Sequence, residues 1–215
     1  MSTSVIHLVS NGAFTFDIER QVEAERVLAR YPEERRQSAV IPLLDLAQRQ
    51  NGGWLSREAV EFVAERLTMP AMRVLEVASF YTMLHLAPVG RNVIQVCRTT
   101  PCWLRGSDVL TQTCRETLGI EIGATSDDGM FSLIEVECLG ACVNAPMVQI
   151  NDDYYEDLTP ESLAAVLLTL KRGEMPLTGS QLGRQGSAPV GGPTALTRDP
   201  VALATARRNA PGAGE

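Results

Sequence analysis

The apolar residues of the first part of the chain recur every three or four positions, which is the spacing of the buried face of an α-helix. This pattern predicts four helices, over residues 17–29, over residues 38–50, from Ser56 onward and from Pro70 onward. Ser56 can cap the free N–H groups of a first helical turn, and a proline costs no hydrogen bond there. We therefore expect residues 1–88 to form an N-terminal helical bundle domain.

The pattern changes after residue 88, where short runs of apolar and β-branched residues alternate with amphipathic segments. The predicted elements, in chain order, are a strand at 93–96, a helix at 107–118, a strand at 131–136, a hairpin at 147–155 and a helix at 160–170. Strand, helix, strand, hairpin, helix is the order of a thioredoxin-like α/β domain, which we place at residues 89–172. The predicted fold class is therefore α+β.

The remaining segment, residues 173–215, differs in composition, because glycine and proline make up about 30% of it. A segment of this kind is too poor in apolar residues to build a core and is typical of an extended or disordered tail. Four spaced apolar residues could still anchor it to a partner: Leu182, Val190, Leu196 and Val201. We expect an assembly tail whose removal leaves the rest of the chain intact.

Composition and charge exclude some functions. The chain has 215 residues, 45% of them hydrophobic, and a formal net charge of −7, which repels phosphate backbones and argues against nucleic acid as a partner. No run approaches the roughly 18 apolar residues that a membrane span needs, and nothing near the N-terminus resembles a secretory signal. We expect a cytoplasmic protein without a membrane span.

Four of the five cysteines form two short pairs, Cys97-x4-Cys102 and Cys138-x3-Cys142, with no histidine near them. Four thiolates complete the coordination of a [2Fe-2S] cluster, two on each iron, so each pair would hold one end of it. A structural zinc ion would also accept four thiolates, although zinc sites more often use x2 spacing. Disulfides are disfavoured in an intracellular chain. Cys114 falls on the apolar stripe of a predicted helix and is interpreted as a core residue.

Other catalytic machinery is missing from the sequence. There is no G-x-G-x-x-G after a strand and no Walker loop, and Gly191-Gly192 lacks the strand-turn-helix context of a nucleotide site. The two histidines, His7 and His85, are interpreted as incidental or structural, with His85 ending a helix where a positive ring would suit the helix dipole.

The sequence around the cysteines resembles the small [2Fe-2S] flavoprotein subunit of respiratory complex I, NADH:quinone oxidoreductase. The resemblance is carried by Ala-Ser-Phe-Tyr-Thr-Met at residues 78–83, by the stretch from Ile94 to Asp108 and by the stretch from Glu137 to Thr159. It implies that Cys97, Cys102, Cys138 and Cys142 are the ligands of one [2Fe-2S] cluster.

The same resemblance implies a partner subunit that carries FMN and the NADH site, further subunits of a peripheral arm, and a place on the cytoplasmic side of a bacterial inner membrane. The cysteine spacing recurs in subunits of NAD-linked hydrogenases and formate dehydrogenases, which remain an alternative assembly. A zinc-stabilised interaction module is an alternative of a different class.

Six residues near the cysteines are candidates for tuning the cluster: Thr99, Thr100, Pro101, Trp103, Gly140 and Pro146. The threonines can donate hydrogen bonds to sulfur, the glycine allows close approach of the backbone, and Pro101 stiffens the first loop. Simple turn chemistry would explain the same residues. Trp103 could shield the cluster or pack between sheet and helix, and Pro146 could follow a cis peptide bond.

Overall fold

The computed structural model describes residues 8–191, so His7, Gly192, Leu196 and Val201 lie outside the described residues. The chain folds as two compact units. The first runs up to Val93 and includes Gly123–Ser132, and the second comprises Ile94–Ile122 and the chain from Leu133 onward. The domain boundaries inferred from the sequence, at residues 88 and 172, remain predictions.

The first unit consists mainly of helices, four of which lie where the apolar spacing predicts them, whereas the 3-10 helix was not predicted. They are α1 (Ile18–Leu28), a 3-10 helix (Glu33–Ala39), α2 (Val40–Gln50), α3 (Arg57–Arg66) and α4 (Ala71–Phe80). Asp17 caps α1 by accepting from the Arg20 N–H, and Ser56 caps α3 by accepting from the Ala59 N–H at 3.1 Å. The caps therefore confirm where the sequence starts these two helices.

A single apolar cluster holds the helices of the first unit together. Its fully buried members include Leu43 and Leu44 on α2 and Val63 on α3, and three aromatic rings pack edge to face beside it, those of Phe14, Phe16 and Phe62. Burying such side chains contributes about 1.5–3 kcal/mol each.

The prediction for His85 is wrong, because α4 ends at Phe80 and His85 lies beyond it. Burial lowers the pKa of its ring, so the positive form is disfavoured at neutral pH. The backbone of His85 ties the segment down instead, by donating to Gln48 Oε1 at 2.7 Å and accepting from the Leu55 N–H at 2.7 Å.

The second unit is built on a five-stranded sheet in the order β2-β1-β3-β4-β5. The strands are β1 (Asn92–Cys97), β2 (Phe131–Val136), β3 (Val148–Ile150), β4 (Asp153–Glu156) and β5 (Gly179–Ser180). β3 and β4 form the predicted hairpin with Gln149 opposite Tyr154, and β3 also pairs antiparallel with β1. The first residues of β1 and β2 are assigned to the first unit.

Three helices accompany this sheet, namely α5 (Thr100–Leu104), α6 (Ser107–Leu118) and α7 (Pro160–Lys171). α6 and α7 pack against each other, and the buried residues include Leu110 of α6 and Leu163 and Leu167 of α7. Thr159 caps α7 in a reciprocal capping box with Ser162, as its position before Pro160 predicts. The thioredoxin-like order read from the sequence is confirmed.

Two features of this unit differ from the sequence interpretation. Cys102 lies in the short helix α5 and not on a loop, because Pro101 in the first turn starts a helix immediately after the strand. The segment after Gly173 is not separate from the fold over its described part, since β5 pairs parallel with β4. Backbone and polar side-chain contacts attach this segment to the second unit. Such contacts do not require regularly spaced apolar residues, so the sequence pattern does not reveal them.

No helix within residues 8–191 is both long and apolar enough to cross a lipid bilayer.

Candidate metal centre

The second unit brings the four paired cysteines together at one end of the sheet. Cys97 is the last residue of β1 and Cys102 lies in α5, and both are buried. Cys138 follows β2, and Cys142 begins a short 3-10 helix, Cys142–Asn144, and both of these are exposed. The group of thiols therefore has a buried side and a side open to solvent.

Backbone N–H groups point at these sulfur atoms. The N–H groups of Thr99 and Leu139 hydrogen-bond with Cys97, that of Met147 with Cys102, and that of Gly140 with Cys138 at 3.4 Å. Donors aimed at sulfur stabilise negative charge on it, which a metal-bound thiolate carries.

The pKa values of the thiols reflect this arrangement. Burial raises the pKa of Cys97, but hydrogen bonds from Thr99 and Leu139 outweigh it and bring the pKa below its usual value. The Gly140 N–H, followed by the Thr99 hydroxyl, lowers the pKa of Cys138. These two thiols are the ones most readily ionised for metal binding, which requires the thiolate.

The other two thiols shift in the opposite direction. Burial, and then the hydrogen bond with Cys97, raises the pKa of Cys102 to about 12. The hydrogen bond with Cys138 raises the pKa of Cys142. Metal binding requires the thiolate, so binding at these cysteines would release protons.

The spacing of one pair of sulfur atoms suits the binding of one metal ion by both. Cys138 Sγ and Cys142 Sγ lie 3.7 Å apart, close to the ~3.8 Å expected for two thiolates on one tetrahedral ion with bonds of about 2.3 Å. Among residues 8–191, no three His, Cys, Asp or Glu side chains are arranged to hold a single ion. A [2Fe-2S] cluster needs two thiolates at each iron, which the two short pairs provide, so the residues present fit such a cluster.

The two threonines predicted near the site occupy different places. Thr99 Oγ1 lies 3.5 Å from Cys97 Sγ, and the same hydroxyl hydrogen-bonds with Cys138, so Thr99 contacts one sulfur of each pair. Thr100 is the exposed first residue of α5. The structure thus brings Thr99, and not Thr100, into contact with sulfur.

The other four predicted neighbours are Pro101, Gly140, Pro146 and Trp103. Pro101 lies in the first turn of α5, and Gly140 has a φ of 85°, a conformation that favours glycine and directs its N–H at Cys138. The peptide bond between Ala145 and Pro146 is cis. Trp103 is 56% exposed, which excludes the interpretation that it packs between sheet and helix.

Several residues that support the site were not predicted from the sequence. The Tyr154 hydroxyl on β4 donates to the Leu139 carbonyl at 2.6 Å and so fastens the loop between Cys138 and Cys142 to the sheet. Arg184 and Asn144 hold the backbone after Cys142. Tyr154 lies in a predicted hairpin and Arg184 in a glycine-rich segment, and nothing in the sequence around either residue indicates a contact with the site.

Cys114 lies apart from this group, in the buried face of α6. Burial raises its pKa to about 12, so it remains a thiol. Its placement confirms the prediction of a core residue.

An α+β fold with a thioredoxin-like sheet and four converging thiols defines a thioredoxin-like iron-sulfur protein. The chain belongs to the thioredoxin-like [2Fe-2S] ferredoxin family, which matches residues 24–171. The cofactor of this family is a [2Fe-2S] cluster.

Two relatives extend this assignment over most of the chain. The chain is 61% identical over 158 residues to an NADH-quinone oxidoreductase subunit of Rickettsia bellii (strain RML369-C), a match that covers 74% of this chain and 95% of the relative. It is 51% identical over 188 residues to "NADH dehydrogenase [ubiquinone] flavoprotein 2, mitochondrial" of Dictyostelium discoideum, covering 87% of this chain and 76% of that protein.

A solved structure shares the fold. The NAD+-reducing [NiFe]-hydrogenase in its air-oxidized state matches with a TM-score of 0.53 at 20% identity, over 60% of this chain and 23% of the hydrogenase chain. At that identity the likeness concerns the fold alone.

Proposed function

We propose that this chain is an electron-transfer subunit of NADH:quinone oxidoreductase, respiratory complex I, which carries one [2Fe-2S] cluster and exchanges single electrons with FMN on a partner flavoprotein subunit. The observation that carries the proposal is the identity of 61% to a protein named as a subunit of this enzyme, over 95% of that protein's length. The gathering of the four paired thiols in the second unit supports it.

We assign Cys97 and Cys102 to one iron and Cys138 and Cys142 to the other. When bound, a [2Fe-2S] cluster accepts and returns one electron at a time. The N–H groups of Thr99, Leu139, Met147 and Gly140 would stabilise negative charge on the ligand sulfurs. Met147, which is fully buried, would keep water from the Cys97–Cys102 side, while the exposed cysteines would face the partner.

We infer that a partner carries out the two-electron step. A hydride donor delivers two electrons together, so a flavin has to stand between NADH and a one-electron carrier. We therefore propose that FMN and the NADH site lie on the adjacent flavoprotein subunit. Membership of the complex would place the chain in the peripheral arm, on the cytoplasmic side of the bacterial inner membrane.

Alanine substitution of each cysteine tests the ligand assignment. Replacing Cys97, Cys102, Cys138 or Cys142 should abolish or greatly reduce the iron and sulfide content. Each substitution removes one of the four ligands of an iron and leaves that iron open to solvent. Cys114→Ala is the matched control and should keep the full content. Full cluster content in two or more of the four ligand variants, or complete loss in Cys114→Ala, would contradict the assignment.

Two alternatives are separated by simple measurements. A [2Fe-2S] centre is red-brown whereas zinc thiolates are colourless, so visible absorption of the purified chain distinguishes a zinc-stabilised interaction module. A subunit of a soluble NAD-linked hydrogenase or formate dehydrogenase would share the fold seen in the NAD+-reducing hydrogenase. Purifying the native assembly and testing whether it is membrane-bound and reduces quinone distinguishes that case.

A further inference from the structure

The side chain of Arg184 is buried in a polar network that lies far from it in the sequence. It is 7% exposed, and its ion-pair partner Asp157 is 6% exposed. Nε donates to Asp157 Oδ2 at 2.9 Å and Nη2 donates to Asp157 Oδ1 at 2.7 Å, which is the two-pronged geometry in which a guanidinium binds a carboxylate most strongly.

The same guanidinium also reaches the backbone that follows Cys142. Nη2 donates to the Val143 carbonyl at 2.9 Å and to Asn144 Oδ1 at 2.6 Å, and Nη1 donates to the Ala188 carbonyl at 3.0 Å. Val143 is the residue next to Cys142. Arg184 therefore connects Asp157 to the residue that follows a proposed iron ligand.

Asn144 completes the attachment of this loop. Its Nδ2 donates to Glu156 Oε2 and to the Gly186 carbonyl, each at 2.9 Å, and its own carbonyl accepts from the Asp157 N–H at 2.8 Å. The Asn144 side chain is buried with each of its polar atoms hydrogen-bonded. The loop is thus held through both its backbone and its side chain.

The C-terminal segment is fixed well enough to present Arg184 at this place. Gly179 and Ser180 form β5, which pairs with β4, and Ser180 Oγ donates to Asp157 Oδ2 at 2.6 Å. Ser180 Oγ also accepts from the Arg184 N–H at 3.2 Å. Residues 179–188 therefore belong to the second unit through polar contacts with β4 and with the Cys142 loop.

Apolar packing does little to hold Cys142, because it is exposed and lies at the start of a three-residue 3-10 helix. Cys97 and Cys102 differ, since both are buried in an apolar cluster.

We propose that Arg184 is a positioning residue that holds the Cys142 loop in place for cluster binding. This proposal rests on the proposed function, because it assumes that Cys142 is an iron ligand. Substitutions of residues that orient a metal ligand commonly weaken metal retention by about 10- to 100-fold. An effect of that size is expected here, together with a change in the spectroscopic signature of the cluster.

Full-length chains carrying Arg184→Ala and Arg184→Lys test the proposal, with Arg172→Ala as control. Arg172 forms an exposed ion pair with Glu174 in the same unit. Lysine keeps the positive charge beside Asp157, but its single ammonium cannot reproduce the planar fork that serves Asp157 and the loop together. The readouts are the rate of cluster loss to a chelator, the EPR g-values and the reduction potential, with circular dichroism as a measure of folding.

Both Arg184 variants should keep the wild-type circular dichroism, lose the cluster about 10- to 100-fold faster and show shifted g-values and potential. Arg172→Ala should match the wild type. Retention and spectra equal to wild type in both Arg184 variants would overturn the proposal, as would cluster loss that only follows loss of secondary structure. A wild-type chain without a [2Fe-2S] cluster would instead refute the proposed function.

Discussion

At the scale of single residues, Thr99 is the side chain best placed to tune the centre. Its hydroxyl contacts Cys97 and hydrogen-bonds with Cys138, so it touches one sulfur of each pair. A reduced cluster carries one more negative charge than an oxidised one, and a hydrogen-bond donor stabilises the reduced form more. Thr99 is therefore expected to raise the reduction potential.

Thr99→Val removes the hydroxyl and keeps the shape of the side chain. The reduction potential should fall by about 40 mV, which corresponds to one hydrogen bond of about 1 kcal/mol in a one-electron couple. A redox titration followed by EPR measures it. Thr100→Val is the matched control, because Thr100 is the adjacent exposed threonine. Equal potentials in the two variants would mean that the Thr99 hydroxyl does not act on the cluster.

At the scale of elements, hydrogen bonds to one carboxylate attach the segment before α1 to the first turn of α3. Glu58 accepts hydrogen bonds from the Ser10 hydroxyl and from the Asn11 N–H. The Ser10 hydrogen bond, followed by that of Asn11, lowers the pKa of Glu58 to about 2. The ionised carboxylate is thus bound more tightly in the folded chain than in the unfolded one.

The sign of the pH dependence follows from this lowered pKa. Because the folded pKa lies below the ordinary value of 4.5, the stabilisation is fully present above 4.5 and is lost as the pH falls toward about 2. Thermal unfolding should show Glu58→Gln melting below wild type at pH 7, with a difference that narrows between pH 4.5 and pH 2. Glu61→Gln, which removes an exposed carboxylate of the same helix, should show no such narrowing.

The elements also show why the C-terminal segment was misjudged from the sequence. Glycine and proline content indicates that a segment cannot build a core, which is true of residues 173–190. It does not indicate whether the segment can add a short strand and one buried arginine to an existing unit. Gly179, Ser180 and Arg184 do so through hydrogen bonds, for which the apolar spacing gives no signal.

At the scale of the whole molecule, a one-electron centre needs a separate site for the two-electron donor. A surface depression of 580 Å³ on the second unit is lined by Gln149, Asp152, Asp153, Tyr154, Thr178 and Gly179. Its two aspartates repel the phosphate groups of FMN and NADH. The larger assembly is therefore expected to supply both.

The purified full-length chain should accordingly neither oxidise NADH nor retain FMN. Flavin fluorescence after denaturation and NADH oxidation with an artificial electron acceptor measure the two properties. The assembled complex is the positive control for both assays. Stoichiometric FMN in the isolated chain would show that a flavin site exists on it.

The sequence alone predicted a four-thiolate centre and determined the order of the elements. Two short cysteine pairs without histidine indicate four-thiolate binding, and their spacing is a local property that folding does not change. Apolar periodicity and caps such as Ser56 and Thr159 likewise act within a few residues, so the helices they predict are present.

The tertiary structure decided which of the predicted neighbours contact sulfur and which further residues hold the loops. Three hydrogen-bonded pairs join residues that lie far apart along the chain: Thr99 with Cys138, Tyr154 with Leu139, and Arg184 with Asn144. Hydrogen bonds between distant residues depend on the register of the sheet and on the path of the loops. Both are established only when the chain folds, and together they fix the direction of each donor. The sequence therefore predicted the ligands, and the fold decided which donors lie beside them.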